Sequence, residues 1–510
     1  MPKHAPPTFT TLGLVLTIVK CFIGSGILFL PKAFSNGGYL FSTLSMVLCA
    51  ALTQVCVSKL IACRGLLPPG TSYGAIGQHV AGFWGARAVD ASLVLSQAGF
   101  CIVYVSFIAR NVIQLLNDSA RGCWVGPEWI GALILAEFLV LAPLTWVRRL
   151  ASFEVTNIIA DGCIAVGLLA VLAWAGAGMA RAGGGGGGGG GGSPLPAIGS
   201  NWALMLGTAV YAFEGAGMVV PMVNALPPAG RAAFPRIFAL TLAGVSALYI
   251  VVGLVPYAYI VGYGGGGGLV QDTITLNLPK AWWSYCVLGG YCVALALSYP
   301  LMMFPAMRAL EAGAAPFLFP EAAGAGEAAE AEADGGAGGG GGSDAEEEEE
   351  GSGGGGGGGG EGLEEELLLR PVAGQPEGGE GGVLLVDGPS ALAAAHALLR
   401  RRAAARQSTA TMWKVNAFRS AVVGVTLLVA YGGASQLDNM VSLIGAFCCT
   451  PIAFIFPAWF HAVMVARPTG RRWAEAADWA IVALGCAILA FSSYMAVTSW
   501  SRTVFNACLP

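Results

Sequence analysis

Charge is scarce in this sequence. Only 11% of its 510 residues are Asp, Glu, Lys or Arg, against about 25% in an ordinary soluble domain. Histidine is rarer still, with 4 in the whole chain. No CxxC pair occurs, so a zinc ribbon or thioredoxin-like site is unsupported. No HExxH, no metal-ligand cluster and no paired aspartates stand in the apolar runs. The expectation is therefore a protein that is no enzyme, holds no metal or cofactor and has no nucleic-acid partner. A filter-like repeat is also missing, which argues against a channel.

What is abundant is apolar side chain: 55% of the residues are hydrophobic and the mean hydropathy is +0.67. A soluble fold of this length cannot hide that much apolar surface, whereas a lipid bilayer solvates it. Most of the 13 cysteines sit inside apolar runs, where they act as small core residues. With about 20 apolar residues needed per membrane helix, about eleven transmembrane helices are predicted. They start near Leu12, Leu40, Ala88, Trp129, Phe153, Trp202, Ile237, Trp282, Val415, Val441 and Trp479. The first run contains Lys20 and a glycine break, so it reads as a mature span and not a signal peptide.

The fold class expected is thus an all-α polytopic membrane protein, with the lipid bilayer as a partner. Spans 1–8 occupy residues 1–311, and spans 9–11 residues 413–510. Residues 312–412 form a low-complexity acidic insert between them. That insert holds 18 of the 30 acidic and 5 of the 26 basic residues, a net −13, which leaves +9 on the rest. Rich in Gly, Ala and Glu, it cannot bury enough apolar area to offset its ordering entropy, and disorder is expected. Within it, Ser390 to Arg406 has a helical pattern with Arg400, Arg401, Arg402 and Arg406 facing anionic lipid as one reading and an incidental linker as the other. Further glycine runs, Gly183–Gly192 and Gly264–Gly268, fall in loops.

Lys and Arg placement predicts orientation. With the N-terminus in the cytosol, the cytosolic connections hold Arg64, Arg87, Arg148, Arg149, Arg231, Arg236, Arg308, Arg467, Arg471 and Arg472. The other side holds Lys32, Arg121, Arg181, Lys280 and Arg502, with Arg110 near a boundary. An odd number of spans then puts the C-terminus in a lumen or outside.

Two spans carry glycines where a membrane helix has no need of them unless its backbone opens or packs closely. Span 1 has Gly24-Ser25-Gly26 near its middle, and span 6 has Gly215 and Gly217 after Glu214. Two interrupted spans, five helices apart, are what an inverted five-plus-five repeat sets face to face. Free N–H groups at a half-helix start bind a carboxylate, and free C=O groups at a half-helix end bind a cation. A zwitterionic amino acid needs both. For either site alone, close helix packing explains the glycines equally well.

The motifs are also specific. Lys20, Ile23, Gly24, Ser25, Gly26, Leu30, Pro31, Ala33, Phe34, Asn36, Gly37 and Gly38 resemble the span 1 signature of the amino acid/auxin permease family. Ser72-Tyr73-Gly74 with Ile76-Gly77 is similar to that family's stretch before span 3. Ser96, Gln97, Gly99, Phe100, Tyr104, Phe107 and Asn111 resemble span 3 itself. Phe213-Glu214-Gly215 with Pro221, Asn277-Leu278-Pro279, and Ser442 to Ala446 fit as well. Spans 1 and 3 look most like the proton-coupled branch, especially fungal vacuolar exporters of neutral amino acids.

That resemblance implies a LeuT-like fold with broken helices 1 and 6 and a substrate site between them. It implies a secondary active transporter of neutral amino acids, linked to protons and working by alternating access. It also favours a vacuolar or lysosomal membrane over the plasma membrane. Substrate-binding candidates are Ile23, Gly24, Ser25, Gly26, Tyr104, Phe213, Glu214, Gly215 and Gly217. Mid-membrane charges cost at least about 2.5–3.5 kcal/mol each, which makes Lys20, Asp161 and Glu214 candidates for proton coupling, with the span 8 hydroxyl of Ser298 beside them. Lys20 is expected to pair with Glu214 or Asp161 or to cap broken-helix carbonyls. Glu137 and Asp161 also read as structural, and Arg419, near the start of span 9, as lying at the cytosolic interface. Where animal proton-coupled members carry a His three residues before the Lys, this chain has Thr17. The alternatives are a sodium-coupled neutral amino-acid transporter and an amino-acid sensor with a transporter fold.

Overall fold

The computed structural model describes residues 11–119, 125–147, 154–184, 193–264, 268–318 and 412–500. The chain divides into two units, one of Met1–Ala314 with Val415–Pro510 and one of Ala315–Lys414. Most of the second unit, including the predicted helix around Ser390 to Arg406, lies outside the described residues.

Every regular element among the described residues is helical. In chain order, α1 is Thr11–Phe22, and after a 3₁₀ turn at Ser25–Phe29 comes α2, Leu30–Gly37. Then follow α3 (Tyr39–Gly65), α4 (Tyr73–Ser119), α5 (Ile130–Thr145) and α6 (Glu154–Gly184). The chain continues through α7 (Trp202–Ala212), α8 (Ala216–Ala225), α9 (Pro228–Tyr257) and α10 (Trp282–Leu318). It closes with α11 (Met412–Gly433), α12 (Leu437–Ala466) and α13 (Arg472–Thr498).

Among these residues nine helices, with α7 and α8 taken as one, are long and apolar enough to cross a membrane, and the bent pair α1–α2 makes ten. The sequence reading expects eleven full spans. The remaining segment, α5, falls at the expected place but has only 16 residues, about 24 Å at 1.5 Å per residue. Pro143 lies inside its last turn, where a proline removes a backbone donor. Several helices also begin earlier than hydropathy suggests. Polar first turns lower the local average, so α12 starts at Leu437 and takes in Asp438 and Asn439.

Burial sorts the helices. In α7–α8 the apolar window is 83% buried, and in α13 it is 17%, so α7–α8 is central and α13 peripheral. Outward faces carry apolar stripes at helical spacing, such as Leu40, Leu44 and Leu48 of α3 and Val425, Leu428 and Val429 of α11. Patches of that size on membrane-length helices are what lipid covers.

Small residues bring the central helices together. A Cβ on Gly445 of α12 would overlap the Gly207 carbonyl oxygen of α7, and one on Gly207 would overlap the Ser442 carbonyl oxygen. The two backbones touch, which only glycine on both sides permits. In α4, Gly82 at φ +59 makes a sharp corner, so that Gly77 lies against Gly85. Ser72 caps the short first piece by accepting the Ala75 N–H at 3.2 Å, and Tyr73 donates to the Ile452 carbonyl of α12 at 2.8 Å. The stretch before span 3 is therefore a short helix folded back on the long one.

Two paired breaks and their surroundings

The first break falls between α1 and the 3₁₀ turn, where the axis bends by 49°. Gly24 is not helical, at φ −124 and ψ −149. The second break falls at Phe213, Glu214 and Gly215, between α7 and α8. At each break one half-helix ends and another begins. The ends of α1 and α7 present carbonyls, and the starts at Ser25 and Ala216 present N–H groups.

The breaks lie side by side. A Cβ on Gly26 would stand 3.1 Å from Cα of Ala212, and one on Gly215 would stand 2.8 Å from the Phe22 ring. The buried Ser25 hydroxyl lies 3.0 Å from the Tyr211 hydroxyl in the last turn of α7. Tyr104 of α4 also hydrogen-bonds Ser25, and its hydroxyl is 3.9 Å from where a Gly24 Cβ would sit. From α9, the Tyr249 hydroxyl reaches the Phe22 carbonyl at 2.5 Å and the Ala212 carbonyl at 3.1 Å. Those are the last helical residues of α1 and α7, so one hydroxyl serves the carbonyl ends of both breaks. The Phe22 carbonyl also accepts the Gly24 N–H at 3.0 Å, whereas the Ala212 carbonyl keeps a second lone pair.

Glu214 is buried, and its carboxylate accepts the Gly217 N–H at the start of α8. Its Oε2 has no partner among the described residues. Phe213 packs edge-on against Tyr249, with ring centroids 5.3 Å apart. Gly217 lies close to Leu93, so a Cβ there would stand 2.8 Å from its methyl.

Lys20 and Asp161 meet at 3.0 Å, both about half exposed. They line a cavity of about 640 Å³ between α1 and α6, together with Ile23 at the first break. Of the two partners expected for Lys20, the geometry selects Asp161.

The predicted substrate residues Ile23, Gly24, Ser25, Gly26, Tyr104, Phe213, Glu214, Gly215 and Gly217 thus lie around the two breaks. Ser298 of α10 is half-buried, and no described hydrogen bond joins it to either break. Its neighbour Tyr299 instead bonds Thr426 at 2.7 Å. Arg419 reaches Glu311 at 2.5 Å and the carbonyls of Thr145 and Val147, a clamp across α5, α10 and α11. Both Glu137 oxygens lack partners among the described residues. No group of three or more His, Cys, Asp or Glu able to hold a metal occurs among those residues.

Sequence reasoning missed Tyr249 and Tyr211. A tyrosine hydroxyl inside an apolar run must find a partner, and that was the only signal available.

Vacuolar amino acid transporter 3 of Saccharomyces cerevisiae is 26% identical over 502 residues, covering 98% of this chain and 58% of its own length. The Schizosaccharomyces pombe protein of the same name is 24% identical, covering 94% of this chain and 57% of its own length. This chain therefore spans less than two thirds of those relatives. Amino acid transporter AVT3C of Arabidopsis thaliana is 29% identical over 60% of this chain and 71% of its own. The crystal structure of MhsT in complex with L-phenylalanine aligns over 96% of both chains at 10% identity, with a TM-score of 0.39. A family model described as transmembrane amino acid transporter protein matches residues 7–498, and the chain belongs to that family.

Proposed function

We propose that this protein is a secondary active transporter that carries neutral amino acids across a vacuolar or lysosomal membrane, linked to protons and working by alternating access. One observation carries the reading: two broken helices lie against each other with opposite backbone polarities at each break, joined by Tyr249. The N–H groups starting at Ser25 and Ala216 suit a carboxylate. The carbonyl ends of α1 and α7 suit an ammonium. Tyr104, with its hydroxyl 3.9 Å from where a Gly24 Cβ would sit, suits a wall for the substrate side chain.

Membership of a transporter family supports the role, and the yeast relatives named as vacuolar support the membrane. No chemical conversion is involved. The eleven segments are read as eleven spans in an inverted five-plus-five repeat, with the N-terminus cytosolic and the C-terminus on the far side. Residues 312–412 are a cytosolic insert between spans 8 and 9. The buried carboxyl of Glu214 and the Lys20–Asp161 pair are the proton-coupling candidates. Placing a carboxyl in apolar surroundings suits it to carry a proton.

The test is reconstitution in liposomes. Labelled neutral amino acids are followed under an imposed pH gradient without sodium, beside Gly24→Leu. Gradient-driven flux that is lost in the variant supports the reading. Flux that requires sodium moves the protein to a sodium-coupled carrier. Binding without flux under either gradient overturns transport and leaves an amino-acid sensor.

A further inference from the structure

A second group of charges lies away from the breaks, at the far end of α2. Asp438, in the first turn of α12, is buried, with 7% of its surface exposed. Its Oδ2 accepts a hydrogen bond from the Asn36 amide of α2 at 2.6 Å. Its Oδ1 has no hydrogen-bond partner among the described residues. A buried carboxylate with one oxygen unsatisfied is costly to keep.

The elements around it supply three charges. Lys32 comes from α2, Arg110 from α4 and Asp272 from the loop that precedes α10. Packed on the same turn, α7 presents no charged side chain, and α13 meets it through the Ala496 carbonyl and Ser499, which Asn439 contacts. Arg110 is paired with Asp272 and also donates to the Ser435 carbonyl at 3.3 Å. Lys32 donates to the Val270 carbonyl in the same loop at 3.3 Å. Asp272 is the solvent-side member, with 23% of its side chain exposed.

Two cations and two carboxylates thus balance when Asp438 is ionised. The Asn36–Asp438 bond is then charge-assisted, which makes it roughly twice as strong as a neutral one. It ties α2, the second half of the broken span 1, to α12. A proton on Asp438 removes the acceptor's charge and leaves the cluster with a net positive charge. Both changes weaken the tie.

We propose that Asp438 is a proton-binding site that latches α2 to α12: ionised it holds Asn36, and protonated it releases that end of α2. This rests on the proton-linked transport proposed above and adds a site distinct from Glu214, Lys20 and Asp161. Movement of α2 would open the break at Gly24 toward the side on which Asp272 stands.

Asp438→Asn keeps an acceptor for Asn36 and abolishes the titration. In liposomes, accumulation driven by a pH gradient should fall at least about tenfold, which corresponds to about 1.4 kcal/mol. Amino-acid exchange at symmetric pH should persist within about threefold and lose its pH dependence. Asp438→Glu should restore a pH-dependent profile with a displaced midpoint. Wild-type accumulation and an unaltered pH profile in Asp438→Asn overturn the latch and leave the transport reading intact. Loss of exchange together with accumulation in a folded Asp438→Asn also overturns it, since the role is then structural. Wild-type flux that ignores the pH gradient sinks proton coupling itself, and the latch with it. If Asp438→Asn does not fold, Asn36→Leu carries the test: the latch requires its pH response to be blunted, and a wild-type response refutes it.

Discussion

Tyr249 of α9 stands 2.5 Å from the carbonyl oxygen of Phe22, the residue on which α1 ends. The same hydroxyl lies 3.1 Å from the Ala212 carbonyl, on which α7 ends. A helix that stops inside a bilayer leaves carbonyls that water cannot reach. Here a third helix supplies the donor, and so the two breaks share one support.

Removing that support should be costly. Tyr249→Phe keeps the ring packing on Phe213 and deletes only the hydroxyl. The Phe22 carbonyl keeps the Gly24 N–H, so we expect a loss of about 1–3 kcal/mol from the Ala212 carbonyl and a fall in transport of tenfold or more, at about 1.4 kcal/mol per decade. Thermal unfolding in detergent and uptake in liposomes read the two effects. Unchanged values in both would show that the breaks are held by other contacts.

The contact between Gly207 and Gly445 predicts a second result. Gly445→Ala places a methyl on the Gly207 carbonyl oxygen, so α7 and α12 must separate. A destabilisation of about 1–3 kcal/mol is expected for such overpacking. Gly244→Ala is the control, because a Cβ there meets nothing within 4 Å. It should be neutral or stabilising by up to about 1 kcal/mol, because Ala is the better helix former where its methyl meets no neighbour. Equal effects at the two sites would contradict the close approach.

Asp478 of α13 is fully buried between Lys59 of α3, at 2.5 Å, and His461 of α12, at 2.7 Å. Asp478→Asn leaves Lys59 without its counter-charge. Breaking such a buried pair costs about 3–5 kcal/mol, visible as a lowered melting temperature or poor expression. The double variant Lys59→Met with Asp478→Leu should recover much of the loss. Failure of the double variant to exceed the single one would refute the pairing.

Lys20 and Asp161 are both about half exposed, so their pairing should matter little for stability, at most about 1 kcal/mol. Their place beside the first break predicts an effect on transport instead. Lys20→Asp and Asp161→Lys should each impair uptake, and the combined exchange should restore part of it. No rescue in the swapped variant would mean that the two residues act separately.

Glu214 donates nothing to its surroundings when ionised, yet it accepts the Gly217 N–H at the start of α8. Glu214→Gln retains an acceptor and should fold as the parent does. Glu214→Ala should lose about 1 kcal/mol, as the removal of a helix cap does. A melting temperature equal in all three proteins would rule out the capping role.

Much of this is legible in the sequence. Apolar runs of membrane length announced themselves because a bilayer rewards every residue of them. Gly24, Gly26, Gly215 and Gly217 stood out because glycine is costly in a helix unless the backbone must open or touch a neighbour. Lys20, Asp161 and Glu214 stood out because charge is rare in this chain. The starts of helices were less legible. Asp438 and Asn439 lower the local hydropathy, so hydropathy places the start of span 10 near Val441, whereas the helix begins at Leu437 and includes the residue proposed as a latch. Tyr73 stands in the stretch before span 3, whose short helix is set off only by the corner at Gly82.

By itself, then, the sequence determined that the chain is a helical membrane protein interrupted at two glycine-rich points, since hydropathy and glycine cost are local properties. Only the tertiary structure decided who meets whom. Lys20 faces Asp161 and not Glu214, Asp438 faces Asn36, and Tyr249 joins Phe22 to Ala212. Such pairs bring together residues far apart in the chain, and their positions follow from how the helices pack, which no single span encodes.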